Sequence, residues 1–302
     1  MNADVLGAVL SRISEFAGLI VGWVGSFLGS AFAIALISAC AGAIAGALGA
    51  QRIADRSKRR DELLTELRST NAAMTVAFSV ANTALTLKKQ HVQPMHEMFV
   101  SDKARFTALI AQRVPSGSLA GSEPQFLLDL RRLAFPEFPM ETLRSLVFEK
   151  ISAQGRVLAL VSSLGQATSG LRDSLARREK LIQEFADSQG AGSALAYRYF
   201  GIQTTSGHTY QEFSDLVDSI HSYTDDIAFF GQLLCSDLER HGERVQAALI
   251  KAGRKDAPKI SKVDFTQAHS SGLMPSDSKY SDWASAFHEH EPTDDADRKT
   301  GN

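Results

Sequence analysis

Between Glu15 and Arg52 the chain runs through thirty-six residues without a charge. About 20 apolar residues suffice for an α-helix to cross hydrocarbon, and a backbone in lipid must satisfy its own hydrogen bonds, as a helix does. The run therefore predicts a transmembrane region over 16–51. It also sets the expected fold class: all-α, an N-terminal transmembrane helix followed by an elongated antiparallel helical bundle or coiled coil and a flexible C-terminal tail. Two spans would need roughly 40 or more residues, so a hairpin would have to use short helices or draw in the segment from Val5 to Phe16, which carries Arg12 and Glu15. Within residues 1–15, Val5, Leu6, Val9, Leu10, Ile13 and Phe16 recur at helical spacing around polar Ser11, Arg12 and Glu15, as in an amphipathic interfacial segment.

The flanks give an orientation. Arg52, Arg56, Lys58, Arg59 and Arg60 follow the apolar run, whereas Arg12 alone precedes it, and basic residues near a span stay on the cytoplasmic side. The expected location is the inner (plasma) membrane, single-pass, with the C-terminal domain in the cytoplasm. Ile37-Ser38-Ala39-Cys40 looks like a lipoprotein cleavage site, but no basic n-region precedes it and the apolar run continues ten residues beyond Cys40. Ser38, Gly42, Gly46 and Ala50 recur every fourth residue, which puts small side chains on one helix face and allows two backbones to approach closely in lipid. That face predicts a homo-oligomer formed in the bilayer.

Residues 52–253 read as a helical bundle. Leu64, Leu67, Asn71, Met74, Phe78, Ala81, Leu85, Lys88 and Val92 follow one another by alternating steps of three and four, the pattern of a coiled-coil seam. The first helix is expected to end before Pro94. A second seam runs Val161, Leu164, Thr168, Leu171, Leu175, Arg178, Ile182, Phe185, inside a helix expected over 140–188. A third runs from Phe213 to Leu249. Shorter helices are expected over Met95 to Arg113 and Gln125 to Leu133. After Gly253 the periodicity stops, so 254–302 reads as a flexible tail, with Tyr280, Trp283 and Phe287 spaced as a short aromatic motif for a protein partner or for folding back.

Candidate sites are few. Lys88, Lys89, His91 and His96 surround Pro94 and form a possible anion or ligand site. His91 and His96 are five apart across a proline, which does not present two metal ligands on one helix face. His288 and His290 have no third ligand nearby, Ser276-Asp277-Ser278-Lys279 lies in the expected tail, and Asp225 and Asp226 read as a solvated face. Asn71, a lone amide in a seam, is expected to fix register or partner number. There is no glycine-rich phosphate loop, His-Glu-x-x-His, Gly-x-Ser-x-Gly or Cys-x-x-Cys. No catalytic residue, metal or cofactor is assigned, and the two cysteines, Cys40 and Cys235, make no disulfide framework. A net charge of -2 gives no basic excess for nucleic acid.

The stretch Asn82-Thr-Ala-Leu-Thr-Leu-Lys-Lys-Gln-His91-Val-Gln-Pro94, following a span and a basic stop segment, resembles a pattern in uncharacterised bacterial membrane-anchored helical proteins. The resemblance covers the first third of the chain and implies a bacterial inner membrane, with no activity attached. Three functions stay open from sequence: a membrane-anchored non-enzymatic assembly or signalling protein, self-associating through its span; a membrane-perturbing effector in antiphage defence or toxicity; and a ligand sensor or enzyme using Lys88 to His96. The partners implied are the lipid bilayer, further copies of the chain and a protein bound by the tail.

Overall fold

The computed structural model describes residues 31–116, 128–153, 155–187, 192–204, 206–254 and 256–287. All regular structure among them is helical, so the chain is all-α. It divides into two compact units, Met1–Glu62 and Leu63–Asn302. In the first unit the described residues are helical, and every side chain from 38 to 59 is exposed. Among the described residues no helix is long and apolar enough to cross a membrane. The expected transmembrane region starts at Phe16, so residues 16–30 of it, and the amphipathic segment 1–15, lie outside the described residues.

The second unit is built on long helices: α1 (Ala31–Leu87, from Leu63 onward here), α2 (Gln93–Ser116), α4 (Arg156–Asp187) and α6 (Glu212–Lys251), with shorter α3 (Met140–Lys150) and α5 (Gly192–Phe200). Paired contacts give the directions. Ala81 lies against Gly231, Lys88 against Asp225, His96 against Asp218 and Phe99 against Phe213, so α1 and α2 run antiparallel to α6. Arg156 meets Asp237, Gly170 meets Tyr223 and Phe185 meets Phe213, so α4 is also antiparallel to α6. Each seam read from the sequence is buried: Leu67 and Met74 on α1, Leu164 and Leu171 on α4, and Ile220, Ile227 and Leu234 on α6. At one end Phe99, Phe106, Phe185, Tyr199, Phe200 and Phe213 form an aromatic cluster with ring centroids 4.5–6.3 Å apart where α5 closes over the long helices.

Four sequence expectations need correction. The first helix does not end before Pro94. A π-helical turn, Lys88–Val92, joins α1 to α2, with the Gln93 amide donating five residues back to the Lys88 carbonyl. A proline ring lacks a donor and crowds the carbonyl four residues back, and a widened turn is a way for a helix to pass it. The helix expected over 140–188 is interrupted after Lys150 and resumes at Arg156; Gly155 takes φ +63° and Glu66 accepts hydrogen bonds from both the amide and the hydroxyl of Ser152. The Ser152 amide is thereby taken out of the helical ladder. Residues 128–133 are irregular and not helical.

The fourth correction concerns the tail. Residues 256–287 lie packed on the bundle, with Phe265 and Tyr280 buried and Ile260 and Trp283 against the core. Seam periodicity reports helices, and this segment is mostly irregular, anchored by a few large side chains and by hydrogen bonds to its backbone. It contains α7 (Thr266–Ser270), a 3-10 turn (Asp277–Tyr280) and α8 (Ser281–Ser285).

Candidate functional site

Two buried cations flank the π-helical turn, Lys88 at its start and Arg178 on α4. Lys88 begins the turn at a seam position and is 4% exposed. Its ammonium lies 2.7 Å from Asp225 Oδ1, a close ion contact, and donates to the Leu273 carbonyl at 2.6 Å. Asp225 Oδ2 also accepts from Lys279 at 3.3 Å. One turn back on α6, His221 stacks on His96 with centroids 4.3 Å apart, and His96 Nε2 is 3.0 Å from Asp218. Burial holds the His221 pKa below its ordinary 6.5; Asp225 opposes that shift, while His96, Lys88 and Lys279 add to it. Asp226 accepts a hydrogen bond from the Tyr280 hydroxyl at 2.8 Å, and burial holds its carboxyl above 3.8. Asp225 and Asp226, read from sequence as solvated, are therefore buried and half-buried anchors for the C-terminal segment. Residues on the helix surface become interior once an irregular segment covers them.

A recess of about 440 Å³ adjoins the same turn. On one wall are Asn82, Thr83, Thr86, Leu87, Gln90, His91 and Met95; on the other are Asp129, Arg131, Arg132, Leu133, Ala134 and Pro136, with Arg178 reaching in from α4. Arg178 is 2% exposed. Its Nη1 donates to the Arg131 carbonyl at 2.7 Å and its Nη2 to the Asp129 carbonyl at 3.1 Å. The Asp129 carboxylate is held by Arg131, at 2.8 Å from both Nε and Nη2. This pairing sets the Asp129 pKa below its ordinary value, against the effect of burial. Tyr199 fixes the same segment by accepting the Asp129 amide at 3.2 Å, and burial pushes its phenol up to about 12.

The chain matches no family model, no curated protein and no solved structure.

The structure separates the four residues grouped from sequence. Lys88 turns inward to Asp225; Lys89 is exposed and lines a second recess of about 290 Å³ with Asp264 and Gln267; His91 is exposed at the edge of the Arg178 recess; His96 faces Asp218. Asn71 does not meet another seam amide. Its Nδ2 donates to the Lys259 carbonyl and its Oδ1 accepts the Ser261 amide, both at 3.0 Å, so it clasps the backbone of the C-terminal segment. Tyr280 stacks on Phe229 at 3.9 Å, Trp283 packs on Phe230 at 4.9 Å, and Phe287 packs on Trp283 at the same distance. The aromatic motif thus folds back on its own bundle. Ser38, Gly42, Gly46 and Ala50 are exposed.

Among the described residues no three His, Cys, Asp or Glu side chains are grouped as ligands of a metal ion; His288 and His290 lie outside those residues. Cys235 is fully buried, and burial pushes its thiol up to about 12, which leaves it unreactive. Sequence reasoning passed over Arg178 and Asp129. The available signal was a cation in a seam otherwise filled by Leu, Ile, Val, Phe and one Thr.

Proposed function

We propose that the chain is a membrane-anchored, non-enzymatic assembly or signalling protein of the inner membrane, self-associating through its N-terminal helix and holding its helical bundle on the cytoplasmic face. The observation that carries this reading is the surface of the first unit. Leu36, Ile44, Leu48 and Ile53 are 49–69% exposed, and a Cβ added at Gly42 or Gly46 would meet nothing within 4 Å. Leaving large aliphatic side chains in water forgoes about 1.5–3 kcal/mol each, so lipid or a second copy is the natural cover for this helix. The uncharged run that continues back to Phe16 and the basic cluster from Arg52 to Arg60 support the same reading from sequence.

The test is a membrane two-hybrid assay on the full chain. Gly42→Ile with Gly46→Ile should weaken association and leave insertion intact, because Ile is favourable in lipid but too bulky for close backbone approach. Unchanged association would place the interface elsewhere. A membrane-perturbing effector would carry the same anchor but would collapse the membrane potential when expressed, which a potential-sensitive dye reports.

A further inference from the structure

We infer that the recess lined by Arg178 is a binding site for a small organic anion, its charged head met by guanidinium groups and its apolar body by Leu87, Met95 and Leu133. This inference goes beyond the assembly proposal and does not depend on it.

Two cations occupy seam positions, and they differ in one respect. Lys88 has a carboxylate, Asp225, at 2.7 Å. Arg178 donates to the carbonyls of Asp129 and Arg131 and lies 5.6 Å from the centre of the Phe213 ring, with no carboxylate in ion-pair contact among the described residues, and its Nε is buried without a hydrogen-bond partner. The carboxylate of Asp129 lines the same recess, but both its oxygens are taken by Arg131. A guanidinium stays charged under all ordinary conditions, and a buried charge without a directly paired counterion is unfavourable. Desolvation holds the Arg178 pKa below its ordinary value, and the nearby Asp129 carboxylate only partly opposes that shift.

The surroundings suit an anion with an apolar body. Three arginines and one aspartate line the recess, and Arg132 is drawn partly away, toward Glu179 and Gln183. A planar fork of N–H donors matches a carboxylate or phosphate oxygen pair. Asn82, Thr83, Thr86 and Gln90 add neutral hydrogen-bonding groups on the opposite wall, and the volume falls in the range of small-molecule sites. The π-helical turn forms part of that wall, and such turns recur where helices build functional sites.

Purified full-length chain in a neutral detergent, free of anionic lipid, tests this by thermal unfolding against phenyl phosphate as the probe, with benzyl alcohol as its uncharged counterpart and chloride keeping ionic strength constant. The expected result is a saturable rise in Tm with phenyl phosphate and none with benzyl alcohol. Arg178→Met should weaken the apparent affinity at least tenfold. Ala134→Trp, at an exposed position of the lining, fills the recess while leaving Arg178 in place, and should weaken binding as much; it decides the matter if Arg178→Met does not fold. No saturable rise in the wild-type chain, or a rise that persists unchanged in Ala134→Trp, would overturn the assignment.

Discussion

Lys88 and Arg178 are each a cation where the helix seam calls for an apolar side chain, and their neighbours decide what each contributes. Lys88 ties the π-helical turn, α6 and the C-terminal segment through Asp225 and the Leu273 carbonyl. Lys88→Met should therefore destabilise the chain by about 3 kcal/mol, the lower end of what removing one member of a buried pair costs, because Lys279 remains near Asp225. Lys88→Met with Asp225→Leu should recover most of that loss in a denaturant titration of the detergent-solubilised chain; no recovery would show that the pair is not the source. The His221 imidazole gives a pH dependence. Its folded pKa lies below the ordinary 6.5, so the unfolded chain takes up the proton first and stability falls as pH drops below about 6.5 toward the folded value. His221→Gln should remove that part of the slope in a Tm-versus-pH series, while the slope from carboxylates at lower pH persists. At this scale the sequence was partly legible. Seam position foretold that Lys88 and Arg178 face inward, but spacing along one helix says nothing of the counterion, which for Lys88 comes from a residue 137 positions away.

At the scale of elements, close helix approach has an identifiable cause. A Cβ at Gly231 would lie 2.8 Å from the Ala81 Cβ and 3.3 Å from its Cα, so α1 and α6 approach each other with only the Ala81 methyl between them at that point. Gly231→Ala should lower stability by about 1–3 kcal/mol, as overpacking of a tight core does, and the loss should appear as a lower Tm by circular dichroism. The neighbouring Gly170→Ala would strike the Tyr223 ring instead, at 2.5–2.8 Å. Helix existence and seam membership were readable because apolar side chains repeat every three or four residues. The breaks were not: the interruption after Lys150 depends on Glu66, far away in sequence, capturing Ser152, and the passage through Pro94 depends on a locally widened turn. The C-terminal segment was misread for a similar reason, since its attachment rests on Tyr280, Phe265 and the Asn71 clasp and not on a repeat. Tyr280→Ala removes the stack on Phe229 and the hydrogen bond to Asp226. Limited proteolysis should then cut within 270–287 at least several-fold faster than in the wild-type chain; an unchanged rate would mean that the segment is held elsewhere.

For the whole molecule, α1 with α2, and likewise α4, run antiparallel to α6 in the second unit and bury a large core, with a smaller cluster of Leu64, Leu67, Val245 and Leu249 between α1 and α6, and this part of the architecture follows from the three seams. The first unit differs in kind. Its helix is exposed from 38 to 59, rich in Ala and Gly up to Ala50, and preceded by more uncharged sequence, and the assembly proposal assigns lipid as the cover for that apolar part. Membrane anchorage is the claim on which the assembly proposal depends, and alkaline carbonate extraction of membranes from cells expressing the full chain tests it most directly. The expected result is that the chain stays with the membrane pellet after the wash, as an integral protein does, with a cytoplasm-dependent reporter fused after Asn302 active in the same cells. Release of the chain into the carbonate supernatant would contradict the anchor and, with it, self-association through Gly42 and Gly46 in lipid.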